Sequence, residues 1–348
     1  MTAKDFTEIP VIDMAGLLSG DASAQRVVAD EMGRAARDVG FFYLTGTGMD
    51  PVLFEGVLAA AQAFFEQPRE AKMAHYIGLS RNHRGYVPEG EEIFAGKTSD
   101  LKEAFDLAAD LPADDPDYLA GNPMLGPNQW PELPGFAERV NAYYQGVRAV
   151  GDHVFRGLAL GLGEAADYFD KVVTKPPSQL RLIHYPVDRT AASRPGIGDH
   201  TDYEAFTLLR STSPGLEVLT GGGTWIDAPP MPHSFVVNIG DMLELWTNGE
   251  YVATTHRVRA VEQERWSFPL FFSVDYDTLV VPMERFSGPG KPQLEPLVAG
   301  EHLYAQTAQS FVYLQKRLAA GEISLPERSV GLSSFGQETR LKAASRTG

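Results

Sequence analysis

The chain contains 348 residues, of which 43% are hydrophobic, and it carries a formal net charge of −16 with no cysteine. The absence of cysteine excludes disulfides, iron–sulfur clusters, thiolate zinc sites and cysteine nucleophiles, so any metal must be held by histidine, carboxylate or water. Nucleic acid is a poor partner for so acidic a chain, because phosphate binding needs a basic patch. No apolar run is long enough to cross a membrane.

The first residues, MTAKDFTEIP, are polar and acidic and contain no apolar signal-peptide core. Together with the lack of cysteine, this predicts a cytoplasmic protein, and the composition predicts no nucleic-acid or membrane partner. The sequence gives no indication of the oligomeric state.

Three helices are predicted in the first half of the chain. Apolar residues at helical spacing predict one over 22–38. Asp50 followed by Pro51 is typical of a helix start, and that second helix should end before Pro68. A long amphipathic helix is predicted over 134–162.

Short runs rich in Val, Leu, Ile and Phe predict β-strands, most of them after Pro177. Two runs, IPVIDM and GFFYLTGTG, lie near the N-terminus. The later runs are QLRLIHYPV, AFTLLRS, GLEVLT, SFVVNIG, DMLELWT, HRVRAV and FPLFFSV. GGGTW predicts a hairpin turn, 110–135 is predicted to be irregular, and a last helix is predicted over about 300–319. This pattern favours an α+β protein built around a β-sandwich or barrel.

A pair of potential metal ligands, His200 and Asp202, lies just before a predicted strand in IGDHTDYEAFTLL. A His-x-Asp/Glu pair is expected by chance in a chain of this composition, so the pair alone carries no weight. His256, on a later predicted strand, supplies a second imidazole. Two histidines and one carboxylate can occupy one face of an octahedral metal and leave three positions open, which is typical of non-haem Fe(II).

A candidate carboxylate clamp follows His256 in ERWSFPL. Arg265 and Ser267 are two residues apart, so on a strand both side chains point to the same face. An arginine fork can bind a carboxylate through two hydrogen bonds, and a serine hydroxyl can donate to the same group. Tyr185, in RLIHYP, is a third candidate. A metal with open positions beside such a clamp suits 2-oxoglutarate.

Segments along nearly the whole chain resemble the isopenicillin N synthase-like family of Fe(II)/2-oxoglutarate dioxygenases. They include IPVIDM, DVGFFYLTGTG, FFEQPREAK, HTDYEAFTLL, FVVNIGDMLELWTNGEY, THRV and RWSFPLFF. The metal ligands that the resemblance implies are His200, Asp202 and His256, and the implied 2-oxoglutarate ligands are Arg265, Ser267 and Tyr185. No catalytic side chain is implied beyond the metal ligands. Plant members often have Asn two residues before the tyrosine, where this chain has Ile183.

The resemblance also implies the fold and the domain organisation. We expect an α+β fold with a double-stranded β-helix (jelly-roll) core flanked by N-terminal helices, one long central helix and a C-terminal helix. A single catalytic domain is expected over residues 1–348. Within it, residues 1–176 should be mainly helical, residues 177–290 should form the jelly-roll core with the iron site, and residues 291–348 should form a C-terminal helix and tail. Hydroxylation of a small molecule is the default activity, with desaturation or cyclisation open.

Substrate contacts are expected from segments that border the cavity in this family. The candidates are Arg84, Tyr86, Glu92 and Tyr203. GYVPEGEE and HTDY also resemble ethylene-forming enzymes of the family, in which a loop carboxylate and a tyrosine help to hold arginine. Residues 81–105 are expected to form a loop over the site that orders with ligands, with Glu91 in a structural role or in solvent.

An ethylene-forming-type activity remains open, and so do two other functions. One is an isopenicillin N synthase-type iron oxidase that does not use 2-oxoglutarate, because such an enzyme uses the Arg-x-Ser positions for its substrate. The other is a non-catalytic jelly-roll binding protein. The remaining histidines, His184 among them, are expected to be structural or on the surface, and Arg257 is expected to point away from the metal.

Overall fold

The computed structural model describes residues 4–93, 101–187, 196–291 and 294–326. The α-helices in these residues are α1 (Ala15–Leu18), α2 (Ala22–Asp38), α3 (Pro51–Phe65), α4 (Arg69–Met73), α5 (Pro116–Leu119), α6 (Phe136–Gly161), α7 (Asp241–Trp246), α8 (Ala299–Ser310) and α9 (Val312–Ala319). The strands are β1 (Val11–Asp13), β2 (Phe41–Thr45), β3 (Gly85–Val87), β4 (Glu103–Leu107), β5 (Gln179–Tyr185), β6 (Ile197–His200), β7 (Phe206–Ser211), β8 (Leu216–Leu219), β9 (Trp225–Asp227), β10 (Phe235–Ile239), β11 (His256–Val258), β12 (Arg265–Phe272), β13 (Leu279–Val280) and β14 (Leu297–Val298).

The predicted helices of the first half are confirmed, and their starts have local causes. The Asp21 side chain accepts a hydrogen bond from the Ser23 N–H at the start of α2. The Asp50 side chain accepts one from the Val52 N–H at the start of α3. Each aspartate thereby satisfies an N–H that has no partner within its helix. No helix of the described ranges is long and apolar enough to cross a membrane.

The central helix α6 packs between the helical layer and the sheet. It packs against α2 and α3 on one side. On the other side Phe155 contacts Phe206 of β7 and Phe272 of β12, with ring centroids 4.7 and 6.3 Å apart. The helices therefore cover the outer face of the sheet that carries β7 and β12.

Two sheets form the β-core. The larger has the strand order β1-β2-β10-β7-β12-β5-β4-β3, and the smaller has the order β6-β11-β8-β9. A cavity lies between them, since residues of both sheets form its wall, among them Ile183 and Leu209 from the larger and Ile197 and Leu216 from the smaller. This is the predicted jelly-roll core with its helices, and the predicted α+β class is confirmed.

Two element predictions are wrong in detail. DMLELWT forms the helix α7 rather than a strand; every residue of α7 is buried, so its pattern has no alternation that could separate helix from strand. The predicted last helix is interrupted at Phe311, whose backbone is extended (φ −94°, ψ 127°), and it becomes α8 and α9.

The remaining segments agree with the predictions or go beyond them. The GGGTW hairpin turn is confirmed by the pairing of β8 with β9. The segment 110–135 contains only the short helix α5 as regular structure. The predicted loop 81–105 contributes β3 and the start of β4 to the large sheet, and its residues 94–100 lie outside the described ranges of the chain.

Candidate iron and 2-oxoglutarate site

The three predicted metal ligands lie together at one end of the cavity. His200 ends β6 and His256 begins β11, and the two are direct partners across the antiparallel pair. Asp202 follows in the loop before β7, with its Oδ1 3.6 Å from the Nε2 atom of His200 and 3.5 Å from that of His256. One ligand atom from each residue lies within 4.8 Å of the other two.

Hydrogen bonds orient all three side chains. Nδ1 of His200 lies 2.8 Å from the Gly198 carbonyl oxygen, and Nδ1 of His256 lies 3.2 Å from that of Thr254. A carbonyl only accepts, so each Nδ1 donates the hydrogen of its bond, and Nε2 is the ring nitrogen that faces Asp202.

The carboxylate of Asp202 is fixed in a similar way from its other side. Its Oδ2 accepts hydrogen bonds from the Thr207 hydroxyl and from Asn238 Nδ2, the latter at 2.6 Å. Oδ1 is therefore the oxygen that faces the two imidazoles. The sequence analysis did not identify Thr207 or Asn238. Thr207 is detectable as a polar residue within a buried strand that directly follows the metal motif.

The charges of this cluster suit a divalent cation. Burial, followed by the proximity of His256, lowers the pKa of His200 to about 3, so its ring is neutral. Burial raises the pKa of Asp202, but the attraction of His256 and the bond from Thr207 outweigh that effect and hold the pKa below its usual range. Two imidazoles and one carboxylate form the donor set of a non-haem Fe(II) site.

The predicted carboxylate clamp lies on the same cavity wall. Arg265 of β12 is 1% exposed, and its Nε donates to the Ser213 carbonyl at 3.1 Å. Its Nη1 and Nη2 atoms are buried without a hydrogen-bond partner among the described residues. The guanidinium carbon lies 4.8 Å from the ring centroid of Tyr185, the residue opposite Arg265 on β5. Ser267 lies two residues further along β12 and also lines the cavity.

An arginine fork that is buried without partners indicates a missing anion. Leaving donors of a charged group unsatisfied in the interior costs several kcal/mol, roughly, and native proteins avoid it unless a ligand completes the site. Burial lowers the pKa of Arg265, which reflects the same cost of desolvating the cation. A carboxylate between Arg265 and Ser267 would satisfy both free nitrogen atoms.

The cavity as a whole has about 950 Å³ of space, including its open mouth. Its wall near the clamp is mostly apolar and contains Ile183, Ile197, Leu209, Leu216 and Val258. Other side chains of the cavity lining are polar, and we call this set the polar wall. The side chains there include His83, Glu92, Lys102, Gln179, Arg181, Glu204 and Thr307.

Glu92, which was predicted to contact the substrate, lines the cavity but is already paired. Its Oε2 lies 2.9 Å from Arg181 Nη1 and 2.8 Å from Lys102 Nζ. Burial raises its pKa, but the two cations outweigh burial and hold the pKa well below the usual range. Glu91 has a structural role, as predicted, because its Oε1 accepts a hydrogen bond of 2.8 Å from the Tyr313 N–H.

Two of the predicted substrate residues lie outside the described cavity wall. The Arg84 guanidinium is enclosed by backbone carbonyls and donates to those of Asn82, His83 and Met124. The Tyr86 hydroxyl donates to Glu103 Oε2 at 2.6 Å. Neither side chain belongs to the described cavity wall, so the expectation that they contact the substrate is corrected.

The other expectations agree with the structure. Tyr203, next to Asp202, lines the cavity. The His184 ring is held between Glu103 and Glu264 and stacks on Trp266, with centroids 4.1 Å apart, so its predicted structural role is confirmed. Arg257 pairs with Glu217 at 2.6 Å, as expected of a side chain that points away from the metal.

The sequence analysis missed one acidic residue of the cavity. Glu204 lies on the polar wall and is 6% exposed. Burial and then the charge of Asp202 raise its pKa to about 8. The signal was present in the sequence, since Glu204 is two residues after the proposed metal ligand Asp202.

Comparison with known families gives matches along most of the chain. The family described as "non-haem dioxygenase in morphine synthesis N-terminal" matches residues 9–133, and the 2OG-Fe(II) oxygenase superfamily matches residues 176–274. A homoarginine-6-hydroxylase of Oryza sativa subsp. japonica is 36% identical over 328 residues, which cover 89% of this chain and 99% of that protein. A 2-oxoglutarate-Fe(II) type oxidoreductase of Emericella nidulans is 31% identical, covering 88% and 91%.

Solved structures agree with these matches. Neurospora crassa T7H, in complex with alpha-KG, superposes with a TM-score of 0.75 at 28% identity, covering 92% of this chain and all of that one. A putative 2OG-Fe(II) oxygenase family protein from Caulobacter crescentus also has a TM-score of 0.75, at 31% identity, covering 90% and 99%. Together with the His200, Asp202 and His256 cluster, these matches show that the chain belongs to the 2OG-Fe(II) oxygenase superfamily and is a non-haem iron, 2-oxoglutarate-dependent oxygenase.

Proposed function

We propose that His200, Asp202 and His256 hold the Fe(II) of this oxygenase and that Arg265, Ser267 and Tyr185 hold the far carboxylate of 2-oxoglutarate. The observation that carries the proposal is the buried Arg265 fork, whose two terminal nitrogen atoms have no partner among the described residues although they share a cavity with the iron cluster. Tyr185 supports the clamp by packing its ring against the guanidinium.

Each group has a distinct task in this proposal. With O₂, bound Fe(II) and 2-oxoglutarate supply the oxidation of a substrate C–H bond, coupled to conversion of 2-oxoglutarate to succinate and CO₂. The two histidines and Asp202 would hold the metal through two imidazole nitrogen atoms and one carboxylate oxygen. Arg265 neutralises and orients the co-substrate, and the apolar wall around it excludes water.

The proposed substrate is a small nitrogen-rich molecule that is hydroxylated at an aliphatic carbon. A relative named homoarginine-6-hydroxylase, 36% identical to this chain, supports this class. The polar wall of the cavity also supports it, because polar groups in a pocket lining suit a polar ligand better than an apolar one. Desaturation and cyclisation require the same iron and clamp residues.

The decisive experiment measures succinate and O₂ consumption by the purified enzyme with Fe(II), with and without 2-oxoglutarate. L-Homoarginine, L-arginine, L-lysine and thymine are compared as substrates, and the product is identified by mass spectrometry. We expect O₂ uptake to require 2-oxoglutarate and to rise with a basic amino acid. Uptake without 2-oxoglutarate would instead support an oxidase of the isopenicillin N synthase type.

We further propose that the chain acts as one catalytic domain, 1–348. Strands of the N-terminal half support this, since β1, β2, β3 and β4 belong to the same sheet as the core strands β5, β7, β10 and β12. Separate folding of the two halves would leave that sheet incomplete. A cytoplasmic location and the lack of nucleic-acid or membrane partners stay predictions from composition.

A further inference from the structure

Most of the ionisable groups on the polar wall neutralise one another. Arg181 binds Asp106 through two bonds, Nε to Oδ1 at 2.7 Å and Nη2 to Oδ2 at 2.8 Å. Its Nη1 and the Lys102 ammonium both bind Glu92. Two acids and two bases thus form a buried cluster without net charge. Each charged group already has a partner of opposite charge, so the cluster has no unpaired charge with which to bind a substrate. We call these four residues the Arg181 cluster.

Glu204 is the exception on this wall. It is 6% exposed, and no lysine, arginine or histidine of the described residues lies within salt-bridge distance of its carboxyl group. Ionising a carboxyl group that is buried without a cation is costly, so a cationic partner is what would stabilise the charged form of Glu204.

The position of Glu204 is fixed by the backbone around it. Its carbonyl oxygen accepts a hydrogen bond from the Met242 N–H of α7, and the neighbouring Ala205 N–H donates to the Phe272 carbonyl of β12. Asp202, two residues earlier, is held by Thr207 and Asn238. Glu204 therefore sits at a set position beside the iron ligands, on a wall that Leu303 and Thr307 of α8 continue.

We propose that Glu204 determines substrate specificity by binding a guanidinium or ammonium group of the substrate within the cavity. A cation with several N–H donors would stabilise the ionised form of the Glu204 carboxyl group. It would provide the positive charge that the Arg181 cluster, which is neutral overall, does not provide. The interaction would also orient the rest of the substrate toward the iron. This inference rests on the proposed function, because it uses the iron and the clamp to define where the substrate lies.

The test compares a cationic ligand with a neutral one of the same shape. L-Homoarginine and L-homocitrulline differ in having a guanidinium or a ureido group at the same place. Binding of each is measured by calorimetry to the full chain loaded with Mn(II) and 2-oxoglutarate, so that no turnover occurs. The variant is Glu204→Gln, which keeps the shape and removes the charge.

We expect the wild type to prefer L-homoarginine and Glu204→Gln to lose about 10- to 100-fold in affinity for it, as expected for loss of one charge-assisted hydrogen bond. Affinity for L-homocitrulline should change much less, so the preference disappears. Glu204→Asp, which keeps the charge but shortens the side chain, should retain some of the preference. The exposed Glu284 provides the control Glu284→Gln, which should match the wild type.

Three results would overturn the inference. An equal loss for both ligands would mean that Glu204 shapes the cavity rather than recognising charge. A preference that survives in Glu204→Gln would place the cation elsewhere. If the wild type binds no guanidinium or ammonium compound but still consumes 2-oxoglutarate with Fe(II), the substrate class fails while the proposed function stands. Failure of that consumption itself would instead reject the proposed function.

Discussion

His200 and His256 lie directly opposite each other on the antiparallel strands β6 and β11, with their ring centroids 4.3 Å apart. Both Nε2 atoms face the same oxygen of Asp202, Oδ1, at 3.6 and 3.5 Å. The metal site therefore depends on the pairing of these two strands as well as on the three side chains. Because both rings are fixed by carbonyls of their own chain segments, the geometry is set before any metal binds.

Loss of one ligand should abolish iron binding and activity without unfolding the protein. His256→Ala leaves a two-ligand site, which holds Fe(II) weakly and opens the wrong positions. We expect substrate-dependent succinate formation to fall to background and the bound iron, measured by metal analysis, to be lost. His153→Ala, on α6, is the matched control and should retain both. Full activity of His256→Ala with added Fe(II) would reject the assignment.

The hydrogen bonds to Asp202 should contribute measurably to metal affinity. Asn238→Ala removes the donor that holds Oδ2 at 2.6 Å, while the ligand itself remains. Changes of this kind typically weaken metal binding about 10- to 100-fold. Titration of the apoprotein with Fe(II) under anaerobic conditions measures the effect. An unchanged dissociation constant would show that Thr207 alone fixes the carboxylate.

The arginine fork should dominate 2-oxoglutarate binding. Arg265→Lys keeps the charge but loses the two parallel N–H donors, so we expect the KM for 2-oxoglutarate to rise at least about tenfold, or about 1.4 kcal/mol. Ser267→Ala removes one hydrogen bond to a charged group and should cost at most about 1.5–3 kcal/mol. If the KM does not change in Arg265→Lys, the carboxylate binds at another place.

Short sequence patterns were sufficient to predict much of the fold. The starts of α2 and α3 were predictable because Asp21 and Asp50 precede apolar residues at helical spacing and cap the helices in the structure. The type of α7 was not predictable, because a short segment that is buried on all sides has no periodicity. The break at Phe311 depends on tertiary contacts: the Ile93 N–H donates to the Ser310 carbonyl, and the Val312 N–H donates to that of Glu91.

The candidate site, like the fold, was only partly predictable from the sequence. His200, Asp202 and His256 indicated a metal centre because two imidazoles and one carboxylate match the donor set of non-haem Fe(II). The direction of the Arg84 side chain was not predictable. Its segment could be assigned to the cavity border, but the side chain follows backbone carbonyls that are distant in the chain, such as that of Met124. The partners of Glu92 are similarly distant, and its pairing could not be inferred.

The last prediction concerns stability and follows from the pairing of Glu92. Glu92→Gln leaves Arg181 and Lys102 buried with less negative charge than they need, and breaking a buried ion pair in this way costs about 3–5 kcal/mol. We therefore expect a lower free energy of unfolding at pH 7, measured with urea. The variant tests the structural role, because the substrate KM alone would not separate recognition from loss of structure.

The pH dependence of that difference provides an internal check. The pKa of Glu92 is lower in the folded than in the unfolded protein, so its contribution is fully present above the unfolded value of about 4.3 and declines as the pH falls below it. The difference between wild type and Glu92→Gln should therefore be constant between pH 6 and 8, roughly, and shrink in acid. Glu284→Gln, which removes an exposed carboxylate, should show neither the loss nor this acid dependence. A difference that persists unchanged below about pH 4 would mean that the charge of Glu92 does not stabilise the Arg181 cluster.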